Sequence, residues 1–501
     1  MKTKAIKWLS LFLAGVMLLG TFVACGGDSD DPDETKAESK KEEGVETTEA
    51  DIALGKLGDI DYGNKEFGIL TLEIFKNEVE GKAGIVDASG GADQTINDAV
   101  HARNTYMEEN YNIKDVVMIE KGEDSLSNLV QIEAQSPTGD FQLIDTRIGS
   151  NASMATNGYL YNLLDMGMDL EGAWWDSGTA EFVLNDAVYF MTGSININDD
   201  THTYIMAFNK ELQKRYSSTV PNPYKTVKAG DWTLDYFEKA IQGIATPNGD
   251  GAWDEKDTYG FITSHEYGTT FFIGSGLRYI KTEEGEEPSL FLTDGLLEKA
   301  SDVLDAARRI YHANNATYIS TPGQEPVGIN AFEQGHALFL GETAMHLSSL
   351  NANMSSSGDE GAFGILPVPK YDKAQANYGT WVHSAGSSFS ATSALSEEDA
   401  EIVGQLFEAM AIVSHKTLRP AYYETTLRTK IAADPESAEM LDIVFGNRVY
   451  EMAFYFDFGF SGLFHDAAYN NNDKFVSQYT AKAKRFNTRL DDIMEGLNKI
   501  K

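Results

Sequence analysis

Cys25 is the only cysteine in the 501 residues. A lone thiol forms no internal disulfide and no cysteine-ligated zinc site. Its setting points to another chemistry. Thr21-Phe22-Val23-Ala24 places small residues before it, an order in which a cysteine becomes the lipidated N-terminus after cleavage. Phe22 stands where leucine is usual. A second spacing lies in Thr246-Pro-Asn248-Gly-Asp250-Gly-Ala252-Trp-Asp254-Glu-Lys-Asp257. It follows a calcium loop: Asn248, Asp250 and Asp254 would supply side-chain oxygens, Ala252 a carbonyl and Asp257 the last ligand. Thr246 replaces the first acid and Asp257 the bidentate glutamate. Both changes weaken the site, so the loop is a candidate for a structural calcium with an acidic surface turn as the alternative, and no cofactor is required. Ring faces are a third resource. Trp174, Trp175, Trp232, Trp253 and Trp381 follow the leader, and a ring face packs well against the C–H face of a pyranose.

Catalytic constellations do not emerge. There is no Gly-x-Ser-x-Gly elbow, no His-Glu-x-x-His and no phosphate loop. The nine histidines are scattered singly along the chain. With 77 acidic residues, a carboxylate pair at glycosidase distance arises by chance and carries no weight. The chain is not expected to be an enzyme.

The elements that would carry these residues begin with a leader. Lys2, Lys4 and Lys7 precede an uncharged run from Trp8 to Ala24, the layout of a secretory signal. Residues 25–60 are acidic and poor in large apolar side chains, which predicts a disordered tether. Together they predict a secreted protein whose partner is the membrane, through a lipid on Cys25 at the outer face of the cytoplasmic membrane. The formal net charge of −37 excludes a basic face for nucleic acid. It also opposes adhesion to an anionic lipid surface.

From Phe67 onward short apolar strands alternate with amphipathic stretches. Phe67–Leu72 and Phe141–Asp145 read as strands. Ile96, Ala99, Val100 and Met107 share one helical stripe, and Leu126, Leu129 and Val130 another. Thr233 and Ser396 read as N-caps of later helices. Alternation of this kind predicts an α/β class with covered sheets, whose ligands sit beyond the carboxyl ends of the strands.

The order of the motifs resembles the extracellular solute-binding lipoproteins of ABC importers, in the carbohydrate-binding family-1 group. The stretches that carry it are Thr95–Asn104, Gly139–Asp145, Tyr204–Lys210, Gly230–Asp235, Asn330–Gly335 and Gly364–Lys370. The resemblance implies a two-lobed periplasmic-binding-protein-like fold with hinge crossings near 192–200, 376–388 and 445–455. The lobes would comprise 61–195 with 381–447, and 196–380 with 448–501. It implies capture of a carbohydrate, with an oligosaccharide as the leading candidate, by hinge closure and delivery to permease subunits. A monomer is expected. A peptide or other polar solute, or a polysaccharide-degrading enzyme, is the competing reading. By the family's layout Asp145, Thr146 and Arg147 face the cleft after their strand. Tyr267 falls where the family places a sugar-stacking tyrosine, and Glu342 lies in another contact segment. Asp199 lies at the first crossing, and Trp381 with His383 at the second.

Overall fold

The computed structural model describes residues 48–75, 94–184, 186–282, 286–321, 323–354, 361–432 and 434–497. The leader and Cys25 lie outside the described residues. Among the described residues thirteen strands follow in chain order: β1 Lys65–Leu72, β2 Ile113–Lys121, β3 Leu143–Arg147, β4 Tyr204–Asn209, β5 Tyr259–Ser264, β6 Ile280–Lys281 and β7 Ser289–Leu290. The rest are β8 Thr317–Ser320, β9 Ala337–Thr343, β10 Phe363–Leu366, β11 Thr380–Trp381, β12 Ser387–Ala391 and β13 Arg448–Val449.

Two main sheets result. The first has the order β12-β3-β1-β2 and the second β10-β4-β9-β5-β8. In the first, β1, β2 and β3 run parallel and β12 returns antiparallel beside β3. In the second, β5, β8 and β9 run parallel while β4 is antiparallel to β9 and to β10. Helices cover both sheets, because strands such as β4, β5 and β9 are buried along their whole length and both faces need apolar cover. The two-lobed α/β architecture is the one the motifs imply.

Local chemistry sets the helices where the sequence places them. The Thr233 side chain accepts from the Tyr236 N–H and Ser396 from the Asp399 N–H. Helix Gln94–Asn110 buries Ile96, Ala99, Val100 and Met107 on one stripe. Trp232 is fully buried, and its indole donates to the Pro367 carbonyl at 2.9 Å, as befits a packing residue.

Three expectations about organisation are corrected. Residues within the supposed tether form a helix, Glu49–Leu57. Thr48 and Asp51 close a capping box at its start, and Lys416 pairs with Asp51 from the helix Glu397–Lys416. Its apolar Leu54 and Leu57 pack on the core, so even this acidic stretch has enough apolar surface to dock. Next, the helix Pro435–Phe445 packs on β10 of the second sheet, not on the first lobe; Ser437 Oγ accepts the Ile365 N–H at 3.1 Å. Finally, the helix Phe486–Leu497 returns to the first lobe against the helix Ile148–Thr156. There the Tyr189 hydroxyl donates to the Leu497 carbonyl at 3.1 Å. The chain therefore passes between the lobes more often than three times.

Candidate functional site

Strand direction decides where polar side chains collect. In the first lobe the carboxyl ends of β1, β2 and β3 and the start of β12 share one edge. This edge presents Glu73 and Ile74, then Glu123, then Arg147, and the turn Ser384–Gly386. Backbone bonds fasten the turn to the end of β3: the Gly149 N–H donates to Ser384 O at 3.1 Å and the Ile148 N–H to Gly386 O at 2.8 Å. In the second lobe the carboxyl ends of β5 and β9 share an edge with the start of antiparallel β4. That edge presents His265 and Glu266 after β5, Met345 and His346 after β9, and His202 before β4. His465 joins them from the helix Leu463–Tyr469, which packs on the segment that follows β5.

The second crossing brings the two edges together. His383 follows β11, and its Nε2 lies 3.4 Å from Glu266 Oε2. Its Nδ1 accepts the Ala385 N–H at 3.0 Å, so the proton of the neutral ring sits on Nε2, toward Glu266. His202 is fixed the opposite way. Its Nδ1 lies 2.6 Å from the Asn198 carbonyl, which takes the proton there and leaves the Nε2 lone pair as an acceptor. Burial holds this imidazole down to about 4, so it is neutral at pH 7. His346 and His465 are lowered by burial as well. Glu266 is held down to about 2, first by the hydrogen bond from His383.

Arg147 is the cation of the first-lobe wall. Its Nη1 lies 3.5 Å from Glu123 Oε2, while its Nε is buried without a hydrogen-bond partner. Two apolar side chains stand exposed at these edges, Ile74 at 56% and Met345 at 43%. The two edges thus offer a cation (Arg147), an acceptor (His202 Nε2), a His383–Glu266 pair with carboxylate lone pairs to spare, and apolar contacts from both walls. Such a set suits a ligand rich in hydroxyl groups with apolar C–H faces.

The structure sorts the sequence candidates by depth. Arg147 and His383 stand part-exposed at the two strand-end edges. Asp145 and Thr146 are fully buried just beneath it, and Asp145 Oδ2 accepts from the Thr71 hydroxyl across the β1–β3 pairing at 2.7 Å. Tyr267 is a core residue: its ring is fully buried between Tyr204, Phe261 and Phe271, and its hydroxyl donates to Ile205 O at 3.0 Å. Glu342 is buried within β9, where desolvation pushes its carboxyl up to about 8. Trp381 is buried and stacks on Tyr204 at 5.1 Å and 10°. It stiffens the crossing below His383 instead of presenting a face to the cleft.

Asp199 belongs to the hinge. Arg448, on the third crossing, contacts Asp176, Asp199 and Asp200, all almost fully buried. Arg419 also pairs with Asp200. The Tyr450 hydroxyl lies 2.7 Å from Asp176 Oδ2 and 3.0 Å from Asp199 Oδ2. Burial, then the Asp200 charge, raises Asp199, against the pull of Arg448.

The calcium-like loop closes on itself. Asp257 is buried, and its two oxygens accept the N–H groups of Asn248 and Asp254, each at 2.7 Å. Asp250 accepts the Ala252 N–H and Asp254 the Lys256 N–H, each at 2.9 Å. Among the described residues no group of three or more acidic or histidine side chains is placed to hold a metal ion.

Histidines 202, 265, 346 and 465, with Glu123 and Glu266, were not singled out by sequence reasoning. A signal existed: His265, His346 and His383 each follow a strand within three residues, on the edge where α/β sheets take ligands.

No family model matches the chain, and no curated protein matches it in sequence. Its fold is shared with solved structures. One is the galacto-N-biose-/lacto-N-biose I-binding protein of the ABC transporter from Bifidobacterium longum, in complex with lacto-N-biose. The identity is 14%, the match covers 87% of this chain and 99% of that one, and the TM-score is 0.53. A second is a cyclo/maltodextrin-binding protein complexed with maltotetraose, at 12% identity, 87% and 98% coverage and a TM-score of 0.52. A third is a sugar transporter from Rhizobium etli in an open conformation, at 14%, 87% and 100%, and 0.50. The likeness is one of fold: two α/β lobes around a cleft.

Proposed function

We propose that this protein is the capture component of an ABC importer and binds a carbohydrate, an oligosaccharide in the first instance, between its lobes. The observation that carries the reading is the meeting of the two strand-end edges at Arg147, His202, His383 and Glu266. Backbone groups set the tautomers of His202 and His383, and side-chain partners hold Arg147 and Glu266. Fixed donors and acceptors of both kinds select hydroxyl groups, which both donate and accept. The ligands named for the B. longum and maltodextrin-binding neighbours support it.

Binding leaves the ligand chemically unchanged. A glycosidase needs a carboxylic acid that holds its proton near neutral pH and faces the ligand. Glu266 faces the cleft but is held down to about 2. Glu342 is raised to about 8 but is buried. The reading further includes a lipid on Cys25 that holds the protein at the outer face of the membrane, delivery to permease subunits, and a monomeric state. Calcium in the 246–257 loop is part of the same reading, with Asp254 and Asp257 turning from backbone N–H groups to the ion. Among the described residues no helix is long and apolar enough to cross a membrane.

A thermal-shift screen over neutral and acidic oligosaccharides and over peptides tests the assignment. A ligand at 100 times its dissociation constant adds about 2.7 kcal/mol of stability. A saccharide hit supports the reading, and a shift by peptides alone replaces it. Reducing ends generated at turnover by the purified protein would make it an enzyme instead.

A further inference from the structure

A second cavity, of about 310 Å³, shares no lining residue with the cleft. Three parts of the chain build it. The turn Ser177–Phe182, which precedes the first crossing, supplies Glu181. The stretch after the helix Gly268–Gly274 supplies Arg278, the exposed Lys281, Thr282 and Phe291, and the third crossing supplies Tyr450 and Glu451. The Thr282 hydroxyl donates to the Glu181 carbonyl at 3.2 Å, tying two of these parts together.

The charges inside are set apart. Glu451 is almost wholly buried, and its oxygens accept the Tyr279 N–H at 3.1 Å and the Ala453 N–H at 3.2 Å. Glu181 lies opposite, with the Tyr450 N–H as a backbone partner. Burial raises both carboxyls, Glu451 to about 7, against the opposing charge of Arg278. Yet its Nη1 is bonded to the carbonyls of Ile273 (3.2 Å) and Leu277 (2.7 Å). Among the described residues no carboxylate comes within 4.0 Å of its nitrogens. A guanidinium and two carboxylates that line one cavity without touching leave room for a group of each sign between them. Filling that space with a ligand carrying one charge would leave the other side desolvated and unpaired, which is costly. A ligand with both charges pairs both sides.

We infer that this cavity binds a small zwitterion of the α-amino-acid class, its carboxylate on Arg278 and its ammonium between Glu181 and Glu451. The site is independent of the carbohydrate reading of the cleft. Because its walls come from both lobes and a crossing, an occupant would join them.

Thermal-shift measurements with the twenty free amino acids at millimolar concentration test it, on the full chain after the leader. We expect at least one to raise the melting temperature of the wild type and of Arg147→Ala. The same compound should act at least tenfold more weakly on Arg278→Gln and on Glu451→Gln, whose folding is checked by circular dichroism. Its amide and its N-acetyl derivative, each lacking one charge, should give no shift. No response to any amino acid overturns the inference. So does equal response in Arg278→Gln and Glu451→Gln, or equal binding of a singly charged derivative. Loss of the response in Arg147→Ala alone would place the amino acid in the cleft and equally overturn it.

Discussion

Replacing Arg448 by methionine removes the cation around which the crossings are tied. Its side chain is 5% exposed, and the three carboxylates it contacts are no more than 4% exposed. Without it, Asp200 retains Arg419, while Asp176 and Asp199 lose their cation and keep only neutral donors, the Tyr450 hydroxyl that they share and the Gly178 N–H on Asp176 among them. Breaking a buried ion pair by removing one partner costs about 3–5 kcal/mol, because a charge stays buried without compensation. The sign of the pH effect follows. In the variant the stranded Asp199 carboxyl, already raised by burial, escapes the penalty by taking up a proton on folding, so its folded value rises further above the unfolded value of about 3.9. The folded state then binds more protons than the unfolded state, and stability falls as pH rises from about 4 toward that value. Urea denaturation at pH 5 and pH 8 should therefore show a loss of about 3–5 kcal/mol at pH 8 and a clearly smaller one at pH 5. Adding Asp199→Asn should recover part of the pH 8 loss. A loss below about 1 kcal/mol at pH 8, or equal losses at both pH values, would refute the reasoning.

Other perturbations have defined outcomes. Glu342 carries its proton at pH 7 because its folded value is about 8; wild-type stability should fall between pH 5 and 8, and Glu342→Gln should flatten that slope in pH-resolved melts. His202 has the opposite sign. Its folded value of about 4 lies below the usual 6.5, so its contribution is present above 6.5 and lost as pH falls through 4, and His202→Gln should lessen the loss of stability between pH 6.5 and 4. Trp232→Ala should destabilise by about 3–5 kcal/mol through the cavity left in the second lobe, read by urea melts. Calcium should raise the melting temperature of chelator-treated wild type, and that of Asp250→Ala much less.

The alternation of strands and helices was readable because burial of both sheet faces writes long apolar runs, as in β4 and β5. N-caps at Thr233 and Ser396 were readable because the signal is local. The crossings were harder. Nothing within Pro435–Phe445 or Phe486–Leu497 says which lobe its apolar face meets; that depends on surfaces hundreds of residues away. The cleft was legible in part. Arg147 and His383 follow strands, and strand ends are where such sheets bind ligands. Tyr267 and Trp381 were misplaced because a ring near a strand end serves as core or platform according to its rotamer and neighbours. Here Tyr267 has Ile205 O for its hydroxyl, and Trp381 has Tyr204 to stack on. The other histidines were passed over because they are dispersed in sequence, and only the antiparallel turn of β4 brings His202 to the edge shared with His265 and His346.

The central claim is that a saccharide binds at Arg147 and leaves intact. Isothermal titration calorimetry with the best oligosaccharide from the screen, on wild type and Arg147→Ala, tests it most directly, with the recovered ligand analysed by mass spectrometry. A charge-assisted hydrogen bond is worth about 1.5–3 kcal/mol, so affinity should fall roughly 10- to 150-fold in the variant. Stoichiometry should be one to one, and the ligand mass unchanged. Unaltered affinity in a folded Arg147→Ala protein, or a shortened saccharide recovered from the wild type, would contradict the account.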